Sequence, residues 1–130
     1  MWGLKEGVPG EVVPMWIDGY YGYVNRRGET ILEGPYTAAT HFAEGLAAVR
    51  EVGNVAVGYI NTDGEYVIDP RFEWAGTFRN GLARAQQHGK RGIIDRRGKW
   101  VVKPIYDNIA PSFDHGLLTI VKDGRYGVVT

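Results

Sequence analysis

The stretch Gly58-Tyr59-Ile60-Asn61-Thr62-Asp63-Gly64, running on through Tyr66-Val67-Ile68 to Pro70 and Phe72, decides the fold. Two runs of aromatic and β-branched residues flank a four-residue turn. Such side chains pack well on a pleated surface and favour strands. Asn at the first turn position can bond backbone two residues on, and Gly at the last takes the left-handed conformation. That combination suits a type I turn followed by a glycine bulge, a common hairpin connection. The sequence therefore predicts a β-hairpin around Gly64.

The hairpin recurs. Gly22-Tyr23-Val24-Asn25 leads to Gly28, Gly92-Ile93-Ile94-Asp95 leads to Gly98, and Gly127-Val128-Val129 opens a further copy. The glycines at 22, 58, 92 and 127 are spaced by 36, 34 and 35 residues, a period that marks tandem repeats. Thr30-Ile31-Leu32 runs to Pro35 and Trp100-Val101-Val102 to Pro104, and an aromatic follows each proline at Tyr36, Phe72 and Tyr106. A second turn recurs in Phe42-Ala43-Glu44-Gly45-Leu46, Phe78-Arg79-Asn80-Gly81-Leu82 and Phe113-Asp114-His115-Gly116-Leu117. Each unit thus carries four short strands, with structural turns at Gly28, Gly64 and Gly98 and at Gly45, Gly81 and Gly116. Proline has no backbone donor, so it is expected to end pairing between the two hairpins. The best helical candidate, Tyr36 to His41, is too short and too β-branched. The phase-locked Tyr36, Phe42, Phe72, Phe78, Tyr106 and Phe113 are assigned to a continuous core.

This phasing makes one repeat domain over 1–130. A half unit covers 1–21, full units cover 22–57, 58–91 and 92–126, and a further unit starts at 127–130. Glu6-Gly7 aligns with the second turns. The out-of-phase ends are expected either to pair and seal the sheet edge or to belong to a longer array.

Composition agrees. The 130 residues include 19 glycines, about twice the usual share, as many tight turns require. Fifteen basic and fifteen acidic residues cancel, so the strong positive field of a nucleic-acid binder is missing. No apolar run approaches the ~20 residues that span a bilayer, so no membrane insertion is expected. The absence of cysteine excludes disulfides and thiolate metal sites. The start Met1-Trp2-Gly3-Leu4-Lys5 does not read as a signal peptide, which makes a cytoplasmic location the default while leaving a secreted or envelope one open.

The order Gly-aromatic-Ile/Val-Asn/Asp, then x-x-Gly, Pro, x-Tyr/Phe and Phe-x-x-Gly-Leu resembles the bacterial WG-repeat family over nearly the whole chain. The namesake Trp is not retained: Tyr21, Val57, Arg91 and Tyr126 precede the repeat glycines. The resemblance implies a β-repeat scaffold with interaction roles, commonly joined to other domains, and no common catalytic activity.

Catalytic readings are weak. His41, His88 and His115 have no second His at ligand spacing, so no metal site is expected. Glu44, Asp63, Asp95, Asp107 and Asp114 sit in turns or at strand ends, where turn propensity explains them. Ser112 lies in no nucleophile motif. The glycines are spaced for hairpins and form no phosphate loop, so no cofactor is expected. Arg26-Arg27 and Arg96-Arg97, with Lys90, Arg91 and Lys99, could form a basic edge, but Thr62-Asp63 interrupts it. The aromatics Trp16, Tyr20, Tyr21, Trp74, Trp100 and Tyr126 are not all fixed by the repeat, and exposed rings could stack on a ligand.

The sequence thus predicts an all-β domain of hairpin repeats forming a closed barrel-like or solenoid body. The alternative is propeller-like blades that close by oligomerisation. The expected role is a non-catalytic binding or assembly module with another protein as partner. The alternative ligand is a glycan or cell-envelope polymer bound by the six aromatics.

Overall fold

The computed structural model describes residues 12–110 and 118–129. None of these residues is helical. The strands are β1 (Val13–Ile17), β2 (Tyr20–Val24), β3 (Thr30–Ala39), β4 (Ala47–Glu51), β5 (Val57–Ile60), β6 (Tyr66–Phe72), β7 (Trp74–Ala75), β8 (Leu82–Gln87), β9 (Lys90–Asp95), β10 (Trp100–Tyr106), β11 (Asn108–Ala110), β12 (Leu118–Lys122) and β13 (Arg125–Val129). Each pairs antiparallel with its sequence neighbour in three sheets, β1 to β6, β7 to β10 and β11 to β13. The protein is all-β, and among the described residues no sheet closes into a barrel.

The first turn of each unit forms as its residues dictate. Asn25 Oδ1 accepts from the backbone N–H of Arg27 at 2.9 Å and of Glu29 at 3.0 Å. Gly28 N–H donates to the Asn25 carbonyl, with φ at 81°. Asn61 and Asp95 repeat both side-chain bonds. The second turn is tighter. Glu44-Gly45 and Asn80-Gly81 have positive φ at both residues, as a two-residue type I′ hairpin requires. The equivalent Gly116 lies outside the described residues, as do Glu6-Gly7 and Phe113.

The same two-residue geometry recurs where the repeat motif did not point. Asp18-Gly19, His88-Gly89 and Asp123-Gly124 all take positive φ and join β1 to β2, β8 to β9 and β12 to β13. The first unit replaces this turn with a longer loop between β4 and β5.

The prolines do not end pairing. Pro35, Pro70 and Pro104 lie inside β3, β6 and β10, at register shifts. In each unit three residues bulge across one glycine. Tyr21 pairs with Tyr36 and Tyr23 with Leu32, so Glu33, Gly34 and Pro35 face Gly22 alone. A bulge removes the ladder bond that proline could not donate. The registers also place Gly34, not Pro35, opposite the positions of Pro70 and Pro104. In the first unit β3 runs unbroken for ten residues, whereas its counterparts split at Glu73 and Asp107.

The bulge explains the repeat glycine. A Cβ on Gly22, Gly58 or Gly92 would lie 2.9, 2.7 or 2.3 Å from the carbonyl oxygen of Leu32, Ile68 or Val102. No side chain fits there.

The core is built twice from the same parts. Tyr23 stacks against Phe42 at 4.8 Å, and its hydroxyl donates to the Thr40 carbonyl at 2.6 Å. Tyr59 stacks against Phe78 at 4.8 Å, and its hydroxyl donates to the Gly76 carbonyl at 2.6 Å. Tyr36 and Phe72 close the two groups edge-on. Ala47 and Val49 face the first cluster, while Leu46 and Ala48 face the second. A strand between two cores is apolar on both faces, which accounts for the run Leu46 to Val49. Tyr106, also assigned to the core, is only half-buried.

Candidate functional site

The β1–β2 hairpin exposes the largest run of apolar side chains among the described residues. The type I′ turn at Asp18-Gly19 sets its register, pairing Met15 with Gly22, Trp16 with Tyr21 and Ile17 with Tyr20. Side chains alternate along a strand, so Trp16 and Tyr21 share one face and Met15, Ile17 and Tyr20 share the other. Relative exposure is 46% at Met15, 57% at Trp16, 39% at Ile17 and 43% at Tyr20. Trp16 meets Tyr21 edge-on at 4.9 Å, which orients its ring. Beside the second face is a shallow cavity of about 220 Å³, lined by Ile17, Asp18, Tyr20, Gly22, Thr30, Glu33 and Pro35.

The other sequence candidates do not join this hairpin. Trp74 is half-buried at the start of the second sheet, with the guanidinium carbons of Arg91 and Arg84 at 4.5 and 5.5 Å from its ring. Trp100, another of the candidate stacking rings, packs edge-on against Phe72 at 5.7 Å, beside the second core cluster. The reason is its register: it follows the Gly98 turn, which rests on Ile68 of the preceding unit. The side chain of Tyr126 lies outside the described residues. The five described aromatics thus separate into a hairpin group of three (Trp16, Tyr20, Tyr21), one ring under arginine and one core ring.

The basic residues form no continuous edge. Arg96 donates to the Glu44 carbonyl at 2.6 Å and approaches its carboxylate. Lys90 pairs with Asp107. Arg91 lies on Trp74.

The acidic residues hold structure together. Backbone N–H groups of Lys99 and Arg97 bond Asp95 and keep its carboxyl below the usual range. Lys90 does the same for Asp107, helped by the Asp123 N–H. For Glu73 the donors are the Gly89 N–H and the Gln86 amide. Burial pushes the Tyr23 and Tyr59 hydroxyls well above the ordinary phenol range. His41 and His88 are exposed. Among the described residues no three His, Cys, Asp or Glu side chains are placed to hold a metal ion.

Two features escaped the sequence reading. Met15 and Ile17 complete the exposed hairpin; their alternation with Trp16 was the available signal. Ile31, Val67 and Val101 sit at equivalent positions in three units and are about half exposed. Three apolar residues in a row, as in Trp100-Val101-Val102, cannot all face one core.

The family description "WG containing repeat" matches three successive segments, residues 21–54, 58–90 and 92–126. No curated protein and no solved structure matched the chain.

Proposed function

The chain belongs to the WG-containing repeat family, and from that premise we propose that it is a non-catalytic protein-interaction module that docks a partner on its β1–β2 hairpin. One observation carries this: Met15, Ile17 and Tyr20 stand exposed together on one face of the hairpin, and Trp16 stands exposed on the other. Contiguous exposed apolar surface on a soluble domain marks interaction sites, and aromatic residues are enriched there. The non-catalytic reading is supported by the shifted ionisable groups. Among them are two tyrosines hydrogen-bonded within the fold and carboxylates bonded by backbone or lysine.

The repeats stack as an open solenoid in this reading. A Cβ on Gly64 would meet Leu32 at 2.9 Å, and one on Gly98 would meet Ile68 at 2.9 Å. The first turn of one unit therefore rests on the strand of the unit before. Glu44 reaches on to Gly81 of the second unit and Arg96 of the third. Such stacking is how repeats that cannot bury a core alone become stable.

The test is capture on immobilised protein from native extract, with Trp16→Ala/Ile17→Ser in parallel. A stoichiometric protein held by the parent chain and lost with the variant supports the proposal. Equal capture by both refutes it. The second reading, glycan binding, rests on Trp16 and Tyr20, because Arg91 covers Trp74. Retained polysaccharide that Trp16→Ala releases, with no captured protein, would replace the first reading by the second.

A further inference from the structure

Trp74, Arg84 and Arg91 form a second site, distinct from the hairpin. Their place in the repeat shows how unusual they are. Arg84 and Arg91 occupy the positions that Ala48 and Val57 hold one unit earlier, and those are buried in the second core cluster. Two cations thus stand where the repeat elsewhere puts core.

Part of this is structural. The third unit has Ile93 where the first two have Tyr23 and Tyr59, so no phenol reaches the carbonyl at its corner. Arg84 Nη1 donates at 3.1 Å to the Ile109 carbonyl, one residue before the position that Thr40 and Gly76 hold in the first two units. That occupies one N–H of five. Arg91 Nε donates to Gln86 Oε1 at 3.1 Å and Nη1 to Asn108 Oδ1 at 3.3 Å. Every one of these acceptors is neutral. Neither guanidinium contacts a carboxylate among the described residues. No buried side-chain nitrogen there lacks a partner, so the remaining N–H groups open to solvent.

The two like charges share one ring at 5.5 and 4.5 Å. Burial and the Arg91 charge both disfavour the charged form of Arg84. The nearby acids are engaged elsewhere. Glu73 accepts from Gln86 and from the Gly89 N–H, and Asp107 holds Lys90.

We propose that Trp74, Arg84 and Arg91 form a receptor for adjacent carboxylates on an extended acidic segment of a protein partner. Guanidinium matches carboxylate bidentately, and the ring beneath holds both forks in place. Gln86 and Asn108 fix the Arg91 fork. A long polyanion is disfavoured, because Glu73 and Asp107 flank the site and the chain carries no net charge. The proposal rests on the reading as a protein-binding module but uses different residues.

The test is titration of the full chain with the peptide Gly-Ser-Glu-Glu-Ser-Gly and its Gln-Gln counterpart. The signals are the arginine Nε–H resonances of Arg84 and Arg91 and the indole N–H of Trp74. The expected result is saturable shifts with the glutamate peptide alone, weakened at least tenfold by Arg91→Gln and by added salt. Arg84→Lys, which keeps charge but loses the fork, should weaken binding as well and serves if Arg91→Gln unfolds. Equal shifts with the glutamine peptide, no shift at millimolar glutamate peptide, or tighter binding of oligothymidylate would overturn the proposal. Capture that depends on Trp16 but ignores the glutamate peptide would overturn this site alone.

Discussion

Placing alanine at each repeat glycine tests the bulge directly. At Gly92 the added Cβ would meet the Val102 oxygen at 2.3 Å, the Pro104 nitrogen at 2.8 Å and the Lys103 carbon at 2.9 Å. All three are backbone atoms, and β10 cannot withdraw without breaking its pairing with β9. Overpacking of this kind costs about 1–3 kcal/mol and occasionally more. The lower entropy of the unfolded alanine chain returns only ~0.4–1 kcal/mol. Gly92→Ala should therefore destabilise by about 2 kcal/mol or more, the net of those ranges at so close a contact. Gly58→Ala, whose closest contact is 2.7 Å, and Gly22→Ala, at 2.9 Å, should follow in that order. Gly127 is the internal control. It holds the same position in the repeat, but among the described residues its Cβ would come no closer than 3.5 Å, to the Ile120 side chain. Gly127→Ala should be neutral or stabilising by up to ~1 kcal/mol. Urea unfolding of the four variants measures the series, with the slope checked for constancy. If Gly92→Ala were no less stable than Gly127→Ala, crowding by the bulge would not be the reason for the glycine.

Tyr59→Phe should cost about 0.5–1.5 kcal/mol, because it removes the hydrogen bond to the half-buried Gly76 carbonyl, and Tyr23→Phe should cost as much by losing the bond to Thr40. Urea midpoints check both. Burial raises the folded-state pKa of both tyrosines, so their contribution is fully present below the unfolded phenol value near 10 and is lost as pH rises beyond it. Stability should fall above about pH 10, by up to ~1.4 kcal/mol per pH unit for each tyrosine, and Tyr59→Phe should flatten that fall. Arg96→Ala should cost below ~1 kcal/mol and show weaker salt dependence than the parent, since its pair with Glu44 is largely exposed. Trp16→Ala should change stability by no more than ~0.5 kcal/mol while abolishing partner capture, as expected of an exposed contact residue.

The repeat and its turns were legible because they are set by local chemistry. Asn25, Asn61 and Asp95 each bond the backbone of their own turn, and no distant residue is needed. The prolines misled, because a missing donor can end a strand or sit at a bulge, and only the pairing register distinguishes the two. The third hairpin class was hidden because Asp18-Gly19 and Asp123-Gly124 are matched by His88-Gly89, and the first unit replaces the turn with a longer loop, so no fixed residue pair recurs in phase. Trp100 was not placed by the repeat, because its position holds Thr30 and Tyr66 elsewhere; contact with Phe72 depends on how units stack, which no single unit encodes.

The same logic locates function in the departures from the repeat. Position by position, the first two units share Tyr over Phe, a hydroxyl bonded to a corner carbonyl and apolar residues between the cores. The third substitutes Ile93 for the tyrosine, and Arg84 bonds the Ile109 carbonyl one residue before that corner. A purely structural replacement would need one donor. Arg91 adds a second cation beside the first, on the same tryptophan, and gains only two neutral partners. Repulsion between two half-buried guanidiniums opposes folding, and among the described residues no carboxylate contacts either of them. Stability alone therefore accounts for Arg84 and leaves Arg91 unexplained. An anionic ligand explains both, and Arg91→Gln separates the two accounts: it should leave the fold as stable or more so, while removing the affinity for glutamate.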